Sequence, residues 1–163
     1  MAEGRKRSLI RTFARVAAKT LAVAALAYGA WFGAFYAGRG DALTTGEKQA
    51  VESIFGDQLD ASKIRKHFKE ESHFTHVLKN KRGVVLPPFS HIDFFGRGNW
   101  SQDFSHESRD QFGFFLHEVT HTWQGQNFKF SAKNFGIYEY AIPDTLAKFS
   151  DFGTEQQAEI IED

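Results

Sequence analysis

The chain has 163 residues, with 20 Lys and Arg against 20 Asp and Glu, a net charge of zero and no cysteine. A neutral chain carries no whole-molecule signal for nucleic acid, and without thiols a disulfide framework and any thiolate metal site are excluded, while the cellular compartment stays open. Eighteen phenylalanines point to an aromatic core or an apolar cleft, in a chain with room for one small domain.

Residues 1–19 form a basic lead, in which Arg5, Lys6, Arg7, Arg11, Arg15 and Lys19 are opposed only by Glu3. Residues 20–38 carry no charge. As a helix rising about 1.5 Å per residue, that run would be about 28 Å long, close to the roughly 30 Å of a bilayer's hydrocarbon core. It reads as one retained transmembrane anchor. The rival is a cleaved signal, whose apolar region runs about 7–15 residues and ends at a small-x-small site. A site ending at Ala37 would put the bulky Phe35 in the way, and Ala27-Tyr28-Gly29 offers one only in mid-run. With the basic end cytoplasmic, residues 39–163 would face the periplasm from the inner membrane, or be secreted or periplasmic after cleavage. Gly29 and Gly33 stand in GxxxG spacing within a stripe that also holds Ala25 and Ala37. That spacing permits helix self-association in the membrane, and it equally suits an anchor with no partner.

Beyond the anchor, residues 44–55 are expected to be helical, opened by a Thr44-x-x-Glu47 capping box. Residues 62–71 fit a short helix or a strand. Their basic cluster of Lys63, Arg65, Lys66 and Lys69, with His67, reads as a solvated helix face rather than a nucleic-acid surface. The apolar runs 84–86 and 90–95 are set among the turn signals Pro87-Pro88 and Gly96-Arg97-Gly98, and read as strands. His91 on the second run reads as a surface or satisfied residue.

Residues 107–124 predict a helix. They contain no proline and one glycine, Gly113. Ser105 is the candidate N-cap and Gly125 the candidate stop. Phe112, Phe115, Val119 and Trp123 recur at three- and four-residue steps, thickened by Phe114, Leu116 and Thr120, which gives an apolar face. On this helix lies His117-Glu118-Val119-Thr120-His121, an H-E-x-x-H pentapeptide. Histidines four apart share one helical face, so both imidazoles can reach one Zn²⁺. Glu118, beside the first of them, can take a proton from a metal-activated water. Two histidines leave zinc short of ligands. With no cysteine and no histidine downstream, the open candidates are Glu139, Asp144, Asp151, Glu155, Glu159, Glu162 and Asp163. Residues 127–135 read as a polar loop or irregular strand, and 144–149 as a short helix. Tyr138 or Tyr140 could donate a hydrogen bond to a tetrahedral oxyanion, against the plainer role of a packed aromatic. Residues 154–161 look helical, with Glu155 and Glu159 one turn apart on one face.

The runs His117 to Gln124 and Phe149 to Ile161, with the Leu43-Thr-Thr-Gly-Glu47 opening, Ile54-Phe-Gly-Asp57, residues 62–65 and Asp103-Phe104-Ser105, resemble a family of bacterial proteins often labelled Vgr-related or Rhs-associated. That family is similar to thermolysin-type zincins. The resemblance implies an α+β, zincin-like metallopeptidase domain over residues 39–163, preceded by one N-terminal transmembrane helix. It implies His117, His121 and Glu155 as Zn²⁺ ligands, Glu118 as the base, and Glu159 as the acid that hydrogen-bonds a ligand histidine. It further implies a peptide or peptide-like substrate, paired against an edge strand beside the metal helix. The alternative is a non-catalytic zincin-like accessory or binding module of a secretion or toxin-associated system.

Overall fold

The computed structural model describes residues 2–36, 39–70, 82–86, 90–127 and 148–163. They divide into two compact units, Met1–Arg39 and Gly40–Asp163.

The first unit is a single helix, α1 (Ala2–Tyr36). This helix runs through both the basic lead and most of the apolar run. The Ala, Arg, Lys and Leu of the lead are strong helix formers, and they extend the same helix that carries the apolar run. Val16–Ala34 is, among the described residues, the one stretch long and apolar enough to cross a membrane, with a mean hydropathy of 1.3. Leu21, Val23 and Leu26 on it are exposed. A methyl group added at Gly29 or Gly33 would meet nothing within 4 Å.

The second unit is α+β. Its four-stranded sheet has the order β1-β2-β4-β3, from β1 (Asp41–Ala42), β2 (Arg65–Lys69), β3 (Gly83–Leu86) and β4 (His91–Phe95). β2 and β4 are parallel, with Lys66 opposite Ile92. β3 and β4 are antiparallel, with Gly83 opposite Phe94. The apolar run 90–95 is thus interior, and among the described residues β3 forms one sheet edge and the two-residue β1 the other.

Among the described residues three α-helices join the sheet: α2 (Thr45–Phe55), α3 (Arg109–Gln126) and α4 (Thr154–Glu162). The capping box of α2 is formed: Glu47 N–H donates to Thr44 Oγ1 at 3.2 Å, and Thr44 N–H donates to Glu47 Oε2 at 2.8 Å. α3 begins later than Ser105. That residue sits in a 3₁₀ turn, Phe104–His106, where its hydroxyl donates to Asp103 Oδ1 at 2.6 Å. Ser108 caps α3 instead, accepting from Gln111 N–H at 3.3 Å, and the helix runs through Gly125 to Gln126. Phe114, Phe115, Leu116 and Val119 of α3 join Ile92, Phe94, Phe104, Val51, Phe55 and Ile64 in one core. Each such side chain contributes about 1.5–3 kcal/mol when fully buried, so the helix bearing the pentapeptide is fixed by its own aromatic face.

The basic cluster departs from expectation. Residues 65–69 form a strand, and strand alternation turns Lys66 to the same face as its core neighbour Ile92. Lys66 is fully buried. Its ammonium lies 2.5 Å from Glu47 Oε1 and donates to the Gln102 carbonyl at 2.9 Å. Glu47 Oε1 also accepts from Phe104 N–H at 2.8 Å. One buried ion pair thereby ties α2 and β2 to the turn that leads into α3.

Candidate metal centre

The pentapeptide lies on the third and fourth turns of α3, and His117 and Glu118 are both buried. A helical repeat of four brings the two imidazoles together, with ring centroids 4.9 Å apart. His117 Nε2 and His121 Nε2 are 3.2 Å apart. Glu155, in the first turn of α4, brings its Oε2 to 3.4 Å from each of them. Among the described residues these three side chains form one of two groups with the donor set and spacing for a metal ion. A zinc ion held tetrahedrally at about 2.0–2.1 Å would set its ligand atoms about 3.4 Å apart. The triangle of 3.2, 3.4 and 3.4 Å fits that spacing.

The outer nitrogens show how the rings are oriented. His117 Nδ1 is 2.9 Å from Glu162 Oε2 and 4.0 Å from Glu159 Oε2. Nδ1 thus faces carboxylates while Nε2 faces His121 and Glu155, an orientation in which a proton on Nδ1 would leave the Nε2 lone pair pointing inwards. The short contact is made by Glu162, not by Glu159. Both lie on the face of Glu155, one and two turns on, and the ring reaches past the nearer acid to the farther one. His117, Glu159 and Glu162 make up the second group with metal-ligand spacing, and they share His117 with the first.

On His121, Nδ1 is 2.9 Å from Gln124 Oε1. Burial acts to lower the pKa of His121, but it is outweighed by the hydrogen bond the ring donates to Glu155 and by the charges of Glu118 and Glu155, which together raise it. The Glu159 carboxyl is pushed up by burial and by the neighbouring Glu162. An inward-facing carboxylate and two inward-facing nitrogens, set in a negative surround, favour a cation.

Glycine lets two close approaches happen at this site. An added Cβ at Gly113 would lie 2.6 Å from the Glu162 carbonyl oxygen, so α3 and the last turn of α4 cross in near backbone contact. An added Cβ at Gly83, on the edge strand, would lie 2.7 Å from the Glu118 carboxyl carbon. The base candidate therefore packs directly against the backbone of β3.

Of the predicted site residues, His117, Glu118, His121, Glu155 and Glu159 come together on facing sides of α3 and α4. Tyr138, Tyr140, Glu139 and Asp144 lie outside the described residues. Asp151 is not at the centre; it closes a short turn by accepting from Lys148 N–H at 3.0 Å. Gln124, Gln157 and Gly83 have no site role in the sequence reading, and Glu162 appears there only among the possible third ligands. Two had a signal: Gln124 follows His121 by three residues and Glu162 follows Glu155 by seven, both same-face helical spacings. Gly83 had none, because its neighbour Glu118 is remote in sequence.

No protein-family model matches the chain. The chain is 32% identical over 151 residues to the type VI secretion system spike protein VgrG2b of Pseudomonas aeruginosa, a match that takes in 86% of this chain and 14% of that protein. It thus spans a small part of that relative's length. Among solved structures, the effector domain of Pseudomonas aeruginosa VgrG2b superposes with a TM-score of 0.57 at 28% identity, covering 86% of this chain and 83% of that one. Homology to the VgrG2b effector domain links this chain to the Vgr-related proteins of type VI secretion.

Proposed function

We propose that the chain is a zinc-dependent hydrolase of peptide or amide bonds, acting as an effector-type domain. The observation that carries this reading is the triangle of His117 Nε2, His121 Nε2 and Glu155 Oε2, with Glu118 one residue from the first ligand. In it, His117, His121 and Glu155 hold Zn²⁺. When bound, the metal supplies a Lewis acid that acidifies water and polarises a carbonyl. Glu118 takes the proton of the attacking water and later gives it to the leaving amine. Its position against Gly83 aligns the base with the edge strand, whose backbone can pair with an extended peptide. Glu162, with Glu159 behind it, holds the His117 tautomer. Residues 20–38 serve as the membrane anchor with the basic lead on the cytoplasmic side, residues 39–163 face the periplasm, and Gly29 with Gly33 offers a contact for helix pairing.

A second reading has its own support. The relatives are named for a secretion spike and an effector domain, and neither name states a chemistry. In that reading the chain is a zincin-like accessory or binding module, and zinc staples α3 to α4.

Metal content and hydrolysis measured on the purified full chain separate these readings. About one zinc per chain is expected, lost in His121→Ala. Glu118→Gln should keep the metal and lose hydrolysis of peptides and cell-wall fragments. Zinc without hydrolysis in the parent would favour the accessory module, and a parent that takes up no zinc would remove both readings.

A further inference from the structure

Gln124 is fully buried, and all of its hydrogen-bonding capacity is directed. Its Nε2 donates to the Thr154 carbonyl and to Gln157 Oε1, each at 2.9 Å. A carbonyl can only accept, so the amide cannot be flipped without setting two acceptors against each other. Gln157 is fixed in the same way: its own Nε2 donates to the Phe149 and Phe152 carbonyls at 3.0 and 3.2 Å. Its Oε1 must therefore face Gln124. The remaining end of Gln124, Oε1, meets His121 Nδ1 at 2.9 Å. Only a protonated Nδ1 satisfies that contact.

We infer that Gln124 is a positioning residue that performs two tasks with one amide: it holds His121 as the Nδ1–H tautomer, and it docks the helix start that carries Glu155. The relay runs from the backbone of residues 149–152, through Gln157 and Gln124, to the ring of His121. Thr154, whose carbonyl Gln124 grips, is the neighbour of Glu155. The second and third members of the triangle are thus registered against each other by a neutral group that touches neither metal nor substrate. A neutral acceptor also adds no charge to a surround already holding Glu118, Glu155, Glu159 and Glu162. This inference rests on the zinc reading only for its consequence: in the metal-free chain Glu155 Oε2, 3.4 Å from Nε2, competes for the ring proton, and the shorter 2.9 Å contact with Gln124 holds it at Nδ1.

The test uses the full chain, metal-free and labelled with ¹⁵N at histidine, in alkaline buffer where the imidazole is neutral. Long-range ¹H–¹⁵N spectra report which ring nitrogen of His121 is protonated, and zinc titration follows. The parent should show Nδ1–H. Gln124→Met, similar in volume but without polar atoms, should release the ring towards Nε2–H and weaken zinc binding by on the order of 10–100-fold, as loss of an outer-shell partner does. Gln124→Glu keeps an acceptor facing His121 but turns its second oxygen on the Thr154 carbonyl and Gln157 Oε1, so it should keep Nδ1–H while losing stability to urea, a separation that a purely packing role would not produce. An Nε2–H parent overturns the inference even if Gln124→Met does not fold, and so does a Gln124→Met chain with unchanged tautomer and affinity. A parent whose tautomer follows Gln124 but which binds no zinc would support the relay and refute the zinc reading.

Discussion

At the scale of single residues, the base candidate is governed by a residue with no side chain. Gly83 leaves the space that the Glu118 carboxylate occupies, and an added Cβ would stand 2.7 Å from its carboxyl carbon. The clash is with the end of a flexible side chain, so Gly83→Ala should cost little stability, about 1 kcal/mol or less. It should nevertheless displace Glu118 and lower the hydrolytic rate by on the order of 10²-fold, the effect of roughly an ångström of misplacement. Urea unfolding and zinc content, measured beside the rate, check this. A variant that lost metal or fold along with activity would assign the glycine to the strand and not to the base. The same scale shows how far the sequence could be read. His117, Glu118 and His121 were legible because helical spacing alone puts them on defined faces, and Glu155 only through the family resemblance, among several acids downstream. The choice of Glu162 over Glu159 as the close partner of His117 was not. It depends on the crossing of α3 and α4 at Gly113, a contact between segments remote in the chain.

At the scale of elements, helices were readable and the sheet less so. Repeats of three and four residues and a capping box announce α2 and α3 locally. The start of α3 was misplaced from Ser108 to Ser105, two serines three residues apart; Ser108 caps the helix, while Ser105 donates to Asp103, the cap of the preceding turn. β2 was misread in character. A run of Lys and Arg looks solvated unless one of them has a buried acid waiting, and Glu47 is nineteen residues earlier on another element. Because Lys66 and Glu47 are both fully buried, removing one leaves the other uncompensated. Lys66→Met should therefore destabilise the domain by roughly 3–5 kcal/mol, and Lys66→Met with Glu47→Gln should recover part of that. Chemical denaturation of the two variants measures it. A single-variant loss below about 1 kcal/mol would mean that the pair is not holding α2 to the sheet.

At the scale of the whole molecule, acid should loosen the fold through the sheet rather than through the candidate centre. His67 is buried against Gly40, whose φ of +90° and lack of a Cβ allow the contact, and its Nε2 lies 2.8 Å from His91 Nδ1. Burial, with the nearby His91 and Lys69, brings the His67 pKa down to about 4. Unfolded histidine titrates near 6.5. Between those values the unfolded chain binds the extra proton, so the contribution of His67 is complete above about pH 6.5 and is lost as pH falls towards 4. His121, raised in the fold, is protonated in both states across that window and acts only above it, where the metal-free chain loses its contribution as pH rises. Stability followed against pH should show a shallower acid loss in His67→Gln than in the parent, and equal slopes would exclude the sheet as the source. The division of the triangle between α3 and α4 has a last consequence, in time rather than in space. A chain made from its N-terminus presents both histidines well before residue 155 exists, and until then they stand as an open pair. The centre can close only once the helix that carries Glu155 has docked on α3.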